Sequence, residues 1–117
     1  MKFKEIDSNI DFNDPETNFS FEFQNNDLIL RFNDYKNRLI EFKFEMVYHF
    51  RYFISDILYL GCPCAKLVEV EDSEIIDELF LDLTVSDSDE LHHIIFSTNE
   101  AEYCEVVSES YSIKIIN

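Results

Sequence analysis

From Phe19 onward apolar and polar positions alternate, with Phe19, Phe21 and Phe23 interleaved with Ser20, Glu22 and Gln24. A period of two is the signature of a half-buried strand, so Phe19–Gln24 is predicted as one. Asn25-Asn26-Asp27 suits a tight turn, and Leu28–Phe32 resumes the strand pattern. A second turn at Asn33-Asp34-Tyr35-Lys36-Asn37 leads into Leu39–His49, which sets Ile40, Phe42, Phe44, Met46 and Tyr48 on one face. Two consecutive hairpins make a meander. Residues 50–60 fit either period: Phe50, Phe53, Ile54, Ile57 and Leu58 suit a helix, whereas Tyr48, Phe50, Tyr52 and Ile54 suit a strand. Aromatic and β-branched residues dominate there, which favours a continued or bent strand. Gly61-Cys62-Pro63-Cys64 ends it, because Gly61 tolerates positive φ and Pro63 has no N–H for a ladder.

The second half opens with a short strand, Lys66–Val70. Asp72-Ser73-Glu74 then offers a helix N-cap, and Ile75, Ile76, Leu79, Phe80 and Leu83 recur at helical spacing. The helix is predicted over Glu74–Asp82, its early acids suiting the macrodipole. Residues 81–85 also read as strand. After a loop at Ser86-Asp87-Ser88-Asp89, Leu91–Ser97, Glu102–Val107 and Ser110–Ile116 read as three further strands. Before Phe19 the chain is polar and acidic around Phe3, Ile6, Ile10 and Phe12, with a turn at Asn13-Asp14-Pro15-Glu16. The pattern predicts one domain over residues 1–117. Its class is mainly β (α+β): a single antiparallel sandwich or a strongly curved sheet with one short helix.

Composition supports a packed core. Of 117 residues, 46% are hydrophobic, with 12 Phe and 6 Tyr, which separates the chain from acidic disordered tails. No segment has the pattern of a signal peptide or of a membrane span. Three cysteines without a secretion signal read as reduced thiols. The expected setting is soluble and cytoplasmic. A net charge of -16 also opposes binding to nucleic acid or to anionic lipid.

Candidate reaction chemistry is sparse. Cys62, Cys64, Cys104, His92 and His93 together carry metal-ligand chemistry, but C-x-C spacing is not the C-x2-4-C of zinc sites and no second spaced pair exists. Consecutive histidines on a strand face opposite sides, and Cys104 reads as a small core residue. A Cys104–His92 dyad across a hairpin is combinatorially available, with nothing in the spacing to hold it. One glycine in the chain argues against nucleophile elbows, P-loops and dinucleotide fingerprints. Asp87-Ser88-Asp89-Glu90 lacks the glycine and distal glutamate of a calcium loop. The expectation is a non-enzyme without cofactor or metal.

Charge is distributed unevenly. Residues 1–51 hold ten acids and seven bases, whereas residues 52–117 hold fifteen acids and only Lys66 and Lys114 as bases. Ten carboxylates fall in one stretch without Lys or Arg: Glu69, Glu71, Asp72, Glu74, Asp77, Glu78, Asp82, Asp87, Asp89 and Glu90. Uncompensated like charge costs stability unless dispersed, screened or matched by a partner. These ten are the candidate contacts for a basic protein, with Tyr103 beside Glu102 and Glu105, Tyr111 near Glu109, and Tyr59 with Asp56 as aromatic companions. A short, strongly acidic chain of Phe/Tyr-rich strands, with a terminal run His93-Ile94-Ile95-Phe96-Ser97, Tyr103-Cys104-Glu105-Val106-Val107 and Tyr111-Ser112-Ile113-Lys114-Ile115, resembles the small immunity proteins of bacterial polymorphic-toxin systems. The resemblance implies a non-catalytic protein that binds a cognate toxin domain, often a basic nuclease, and blocks its active site or substrate surface. Two other readings stand beside it: a structural or oligomeric domain whose acidity serves solubility, and a small enzyme or metal site using the Cys/His residues.

Overall fold

The computed structural model describes residues 2–6, 8–10, 12–13, 15, 19–54, 65–82, 90–99 and 102–116. Within them the order is β1 (Phe3–Glu5), β2 (Ser20–Gln24), β3 (Asp27–Asn33), β4 (Leu39–Ile54), β5 (Leu67–Val70), α1 (Glu74–Leu81), β6 (His92–Ser97) and β7 (Glu102–Ile115). All pairings are antiparallel, in one unclosed sheet of order β1-β5-β6-β7-β4-β3-β2. The protein is thus mainly β with one short helix, the class its alternation predicts.

The sheet doubles over on itself. Phe42 on β4 pairs with Ile113 on β7, and Phe96 on β6 pairs with Cys104 on β7. Residues 104 and 113 are about 30 Å apart along an extended strand, yet the Phe42 and Phe96 rings stack at 4.6 Å. Two half-sheets therefore face each other. One holds β2, β3, the start of β4 and the end of β7; the other holds the end of β4, the start of β7, β6, β5 and β1. Leu28, Leu30, Phe32, Ile40, Phe42 and Phe44 from the first meet Leu67, Ile94, Phe96, Cys104 and Val106 from the second. Phe12 wedges between them, its ring 5.9 Å from both Phe32 and Phe96. This is the curved-sheet alternative, packed face to face as in a sandwich.

The bend has a local cause. Met46 takes a left-handed φ of 57°, and the β4–β7 register shifts between Val47 and His49, the behaviour of a bulge. The β2–β3 hairpin ties it down: the Met46 N–H donates to Asp27 Oδ1 at 3.0 Å and the Val47 N–H to the Asn26 carbonyl at 2.7 Å. Hence Met46 does not share the buried face of Ile40, Phe42 and Phe44 but is exposed. Opposite the bulge, β7 changes phase. Its inward residues are Cys104 and Val106 before the bend, then Tyr111 and Ile113 after it. That phase change mimics a turn, so two strands were expected where one continuous strand, Glu102–Ile115, runs. β1 is a further strand the pattern did not announce; it is held by pairing with β5. Of residues 50–60, those through Ile54 extend β4, and 55–60 lie outside the described residues, as do Gly61 to Cys64.

The sheet's outer face over β5, β6 and β7 carries a second, smaller cluster of Val68, Val70, Ile95 and Tyr103, with Phe3 and Phe53 against it. α1 begins at this face. Ser73 caps it with extended backbone and accepts the Ile76 N–H at 3.1 Å, as the Asp-Ser-Glu signal predicts. Asp82 forms the C-cap, so the helix ends one residue before the expected boundary. Among the described residues no helix is long and apolar enough to cross a membrane.

Candidate functional site

Register brings a charged group into the outer face. His93 lies opposite Val107, which lies opposite His49; one step along, Glu105 lies opposite Arg51. Glu105 thus sits diagonal to two imidazoles and across from a guanidinium, with Ile95 opposite it on β6. Both Glu105 and His93 are buried. Glu105 Oε2 is 3.0 Å from His93 Nε2, Oε1 is 2.9 Å from His49 Nε2, and the Arg51 guanidinium is 3.6 Å from Oε1. Burial pushes the Glu105 carboxyl up; hydrogen bonds and charge from His49 and His93 outweigh that and hold it far below the usual carboxylate range.

The network continues to the helix. Ser73 Oγ is 2.6 Å from His93 Nδ1 and also accepts from Ile76. A carboxylate only accepts, so His93 Nε2–H donates to Glu105, and His93 Nδ1 on the other side of the ring pairs with the Ser73 hydroxyl. Every hydrogen-bonding atom of this hydroxyl–imidazole–carboxylate chain is used, and no buried side-chain nitrogen or oxygen is orphaned among the described residues. The order of groups is that of a nucleophilic relay, but such a relay needs an accessible hydroxyl beside a substrate cavity. Ser73 is buried, and a cavity of about 380 Å³ lies elsewhere, between the residues around Asn9, Arg38 and Lys66. The chain of bonds therefore anchors the start of α1 to β6. Ser73→Ala removes both the cap and the His93 partner; the expected loss is about 1–2 kcal/mol in urea unfolding, with Ser73→Thr restoring most of it.

Of the ten expected contact acids, the eight that lie among the described residues do not share one face. Consecutive His92 and His93 point to opposite sides of β6, and the acids divide with them. Glu69 is half-buried at 2.9 Å from His92 Nδ1, and Glu90 reaches His92 Nε2 at 3.4 Å. This group lies on the side of Tyr111, whose ring is 5.5 Å from that of His92; burial and then Glu69 push the Tyr111 hydroxyl up. Asp72 accepts from the Lys2 backbone N–H at 2.6 Å, which holds its carboxyl below its ordinary value. Glu71 is exposed in the same turn. Asp87 and Asp89 lie outside the described residues. What coheres is α1: Glu74, Asp77, Glu78 and Asp82 share its exposed face with Leu81, while Ile75, Ile76, Leu79 and Phe80 turn inward. None of the four carboxylates makes an ion pair among the described residues.

The aromatic companions are also redistributed. Tyr103 is buried and stacks on Phe53 at 5.3 Å, so it is core and not surface. Glu109 accepts the Tyr48 hydroxyl at 2.8 Å, and Tyr111 packs on Phe44. Tyr59 and Asp56 lie outside the described residues. Cys104 is fully buried, its thiol pushed up by burial and by Glu102, and its register partner is Phe96, not His92. The Cys104–His92 dyad, only combinatorially available in the sequence, is not assembled. No group of three or more His, Cys, Asp or Glu side chains among the described residues is arranged so that it could hold a metal ion; Cys62 and Cys64 lie outside them. Comparison with protein-family models, curated proteins and solved structures finds no match for the chain.

Proposed function

We propose that the protein is a binding protein, of the immunity type its sequence resembles, which captures a basic protein on the outer face of α1. One observation carries this reading. Glu74, Asp77, Glu78 and Asp82 surround Leu81, which is 81% exposed, with no basic residue in the last turn of the helix. Early acids favour the macrodipole, but Asp82 at the C-terminal end opposes it. A helix that keeps an unfavourable acid beside an exposed leucine has the composition of a contact surface: charge for steering and an apolar centre for area. The anchored Ser73 N-cap fixes this face relative to the sheet.

The test is binding to the product of the adjacent reading frame. Asp77→Lys with Glu78→Lys is expected to lower affinity at least about tenfold at low salt and to abolish protection of cells expressing that product. Association of the unmodified chain should slow as salt rises, because charges in water are screened beyond about 8–10 Å. Unchanged binding and protection by the double variant would overturn the proposal, and a change in solubility alone would favour the solubilising reading.

A further inference from the structure

The two edges of the sheet are not equivalent. β1 is three residues long and flanked by Lys2 with Lys4 inside it, the short, charged edge that discourages pairing. β2, Ser20–Gln24, is the other edge; all five residues are exposed, with neither lysine, proline nor bulge. Its register closes a two-residue turn at Gln24↔Asp27. In such a hairpin the closing pair is hydrogen-bonded and every second pair after it. The backbone groups of residues 20, 22 and 24 therefore serve β3, while those of Phe21 and Phe23 point away from the sheet.

An apolar shelf continues from that edge. Phe21 is 5.2 Å from Phe50 and 5.5 Å from Tyr52. Phe23 is 54% exposed, and Ile54, at the end of the same row of β4, is 68% exposed. The charges beside this edge are acidic. Glu22, half-exposed on the face of β2 opposite the shelf, is the only charge on β2, and on the shelf side Glu102 accepts the Tyr52 hydroxyl. The neighbouring cation, Arg31, is already shared between Glu22 and Glu41.

We infer that β2 is a docking edge for an extended basic strand of a protein partner, which adds to the sheet beside Phe21 and Phe23. Its lysines or arginines lie over Glu22, and its alternate apolar side chains lie on the Phe21–Phe23–Ile54 shelf. A second copy is the poorer occupant. Full-length antiparallel pairing of two β2 strands sets Glu22 opposite its own copy and joins two chains of net charge -16. The inference rests on the basic-partner reading and gives that partner a second point of contact, separate from α1.

The probe is a short capped peptide of alternating lysine and valine, with two controls: glutamate for lysine, and proline at the central valine. Backbone amide shifts and hydrogen exchange on the full chain are the readout. The lysine peptide is expected to shift and protect the amides of Phe21 and Phe23. Glu22→Lys should weaken it about tenfold and reverse the preference toward the glutamate peptide. Phe23→Pro, which removes an outward N–H without touching the β3 ladder, should abolish binding with circular dichroism unchanged, whereas Asp77→Lys with Glu78→Lys leaves it intact. Equal binding of the proline peptide, or shifts confined to α1, would overturn strand docking; the latter would leave the basic-partner reading standing. A concentration-dependent dimer lost in Phe23→Pro would overturn it in favour of self-pairing. No binding of the lysine peptide anywhere would count against both.

Discussion

Glu105→Ala is expected to cost about 3–5 kcal/mol of unfolding free energy, the scale for removing one partner of a buried charged pair. The variant strands the Nε2–H groups of His93 and His49 and leaves Arg51 facing an empty site. It also loosens the link to Ser73, so α1 should fray together with the loss of stability. Glu105→Gln keeps an acceptor oxygen but not the charge, and about half the loss is expected. The pH dependence separates charge from packing. The Glu105 carboxyl is held below its ordinary value of 4.5 in the fold. A depressed carboxyl contributes stability that is fully present above the unfolded value and lost as pH falls below it. Urea midpoints of the unmodified chain should therefore drop on acidification from pH 5 toward pH 3, whereas Glu105→Ala shows a shallower slope. Asp34, Glu41 and Asp72 are also depressed, so the difference between the two slopes is the measurement. Parallel slopes would show that Glu105 acts only through packing.

Local patterning anticipated strands that are marked over their own length, Ser20–Gln24 by alternation and His92–Ser97 by a short apolar run bounded by polar residues. Ser20–Gln24, Asp27–Asn33 and His92–Ser97 each fall within one residue of the runs read from the sequence. The helix start was legible for the same reason: an N-cap serine and its first turn are adjacent in the chain. Non-local features were not. The bulge at Met46 depends on the Asp27 carboxylate across a hairpin, and neither residue signals it alone. The continuity of β7 was hidden by its change of phase, since Ser108-Glu109-Ser110 has turn composition although it pairs with Glu45 and Val47. The acidic stretch illustrates the limit most clearly. Contiguity in sequence suggested one surface, but a strand sends neighbours to opposite faces. Glu69 thereby joins His92, whereas the acids of α1 stand outside. Glu105 was missed as a buried anchor for a related reason. An acid inside Tyr103-Cys104-Glu105-Val106-Val107 was a visible anomaly, but its partners His93 and His49 arrive from two other strands.

Phe96→Ala should match Glu105→Ala in size through different physics. Its ring stacks on Phe42 at 4.6 Å and lies 5.9 Å from Phe12 and 5.7 Å from Phe19. It is therefore the point at which both half-sheets and the N-terminal segment meet. Truncating a fully buried phenylalanine costs about 3–5 kcal/mol, from lost transfer free energy and from the cavity left behind. Relief by collapse is small here, because the two half-sheets are joined through the continuous backbones of β4 and β7 and cannot simply approach. Phe96→Leu should recover most of the loss, since a near-filling apolar side chain leaves little void. Phe23→Ala, on the exposed shelf, should change stability by less than about 1 kcal/mol. That contrast locates the two roles of the phenylalanines: those between the half-sheets hold the bend, and those beyond the β2 edge remain available to a partner. Urea unfolding of the three variants measures it. A loss in Phe23→Ala comparable to that in Phe96→Ala would mean the shelf belongs to the core and not to a docking surface.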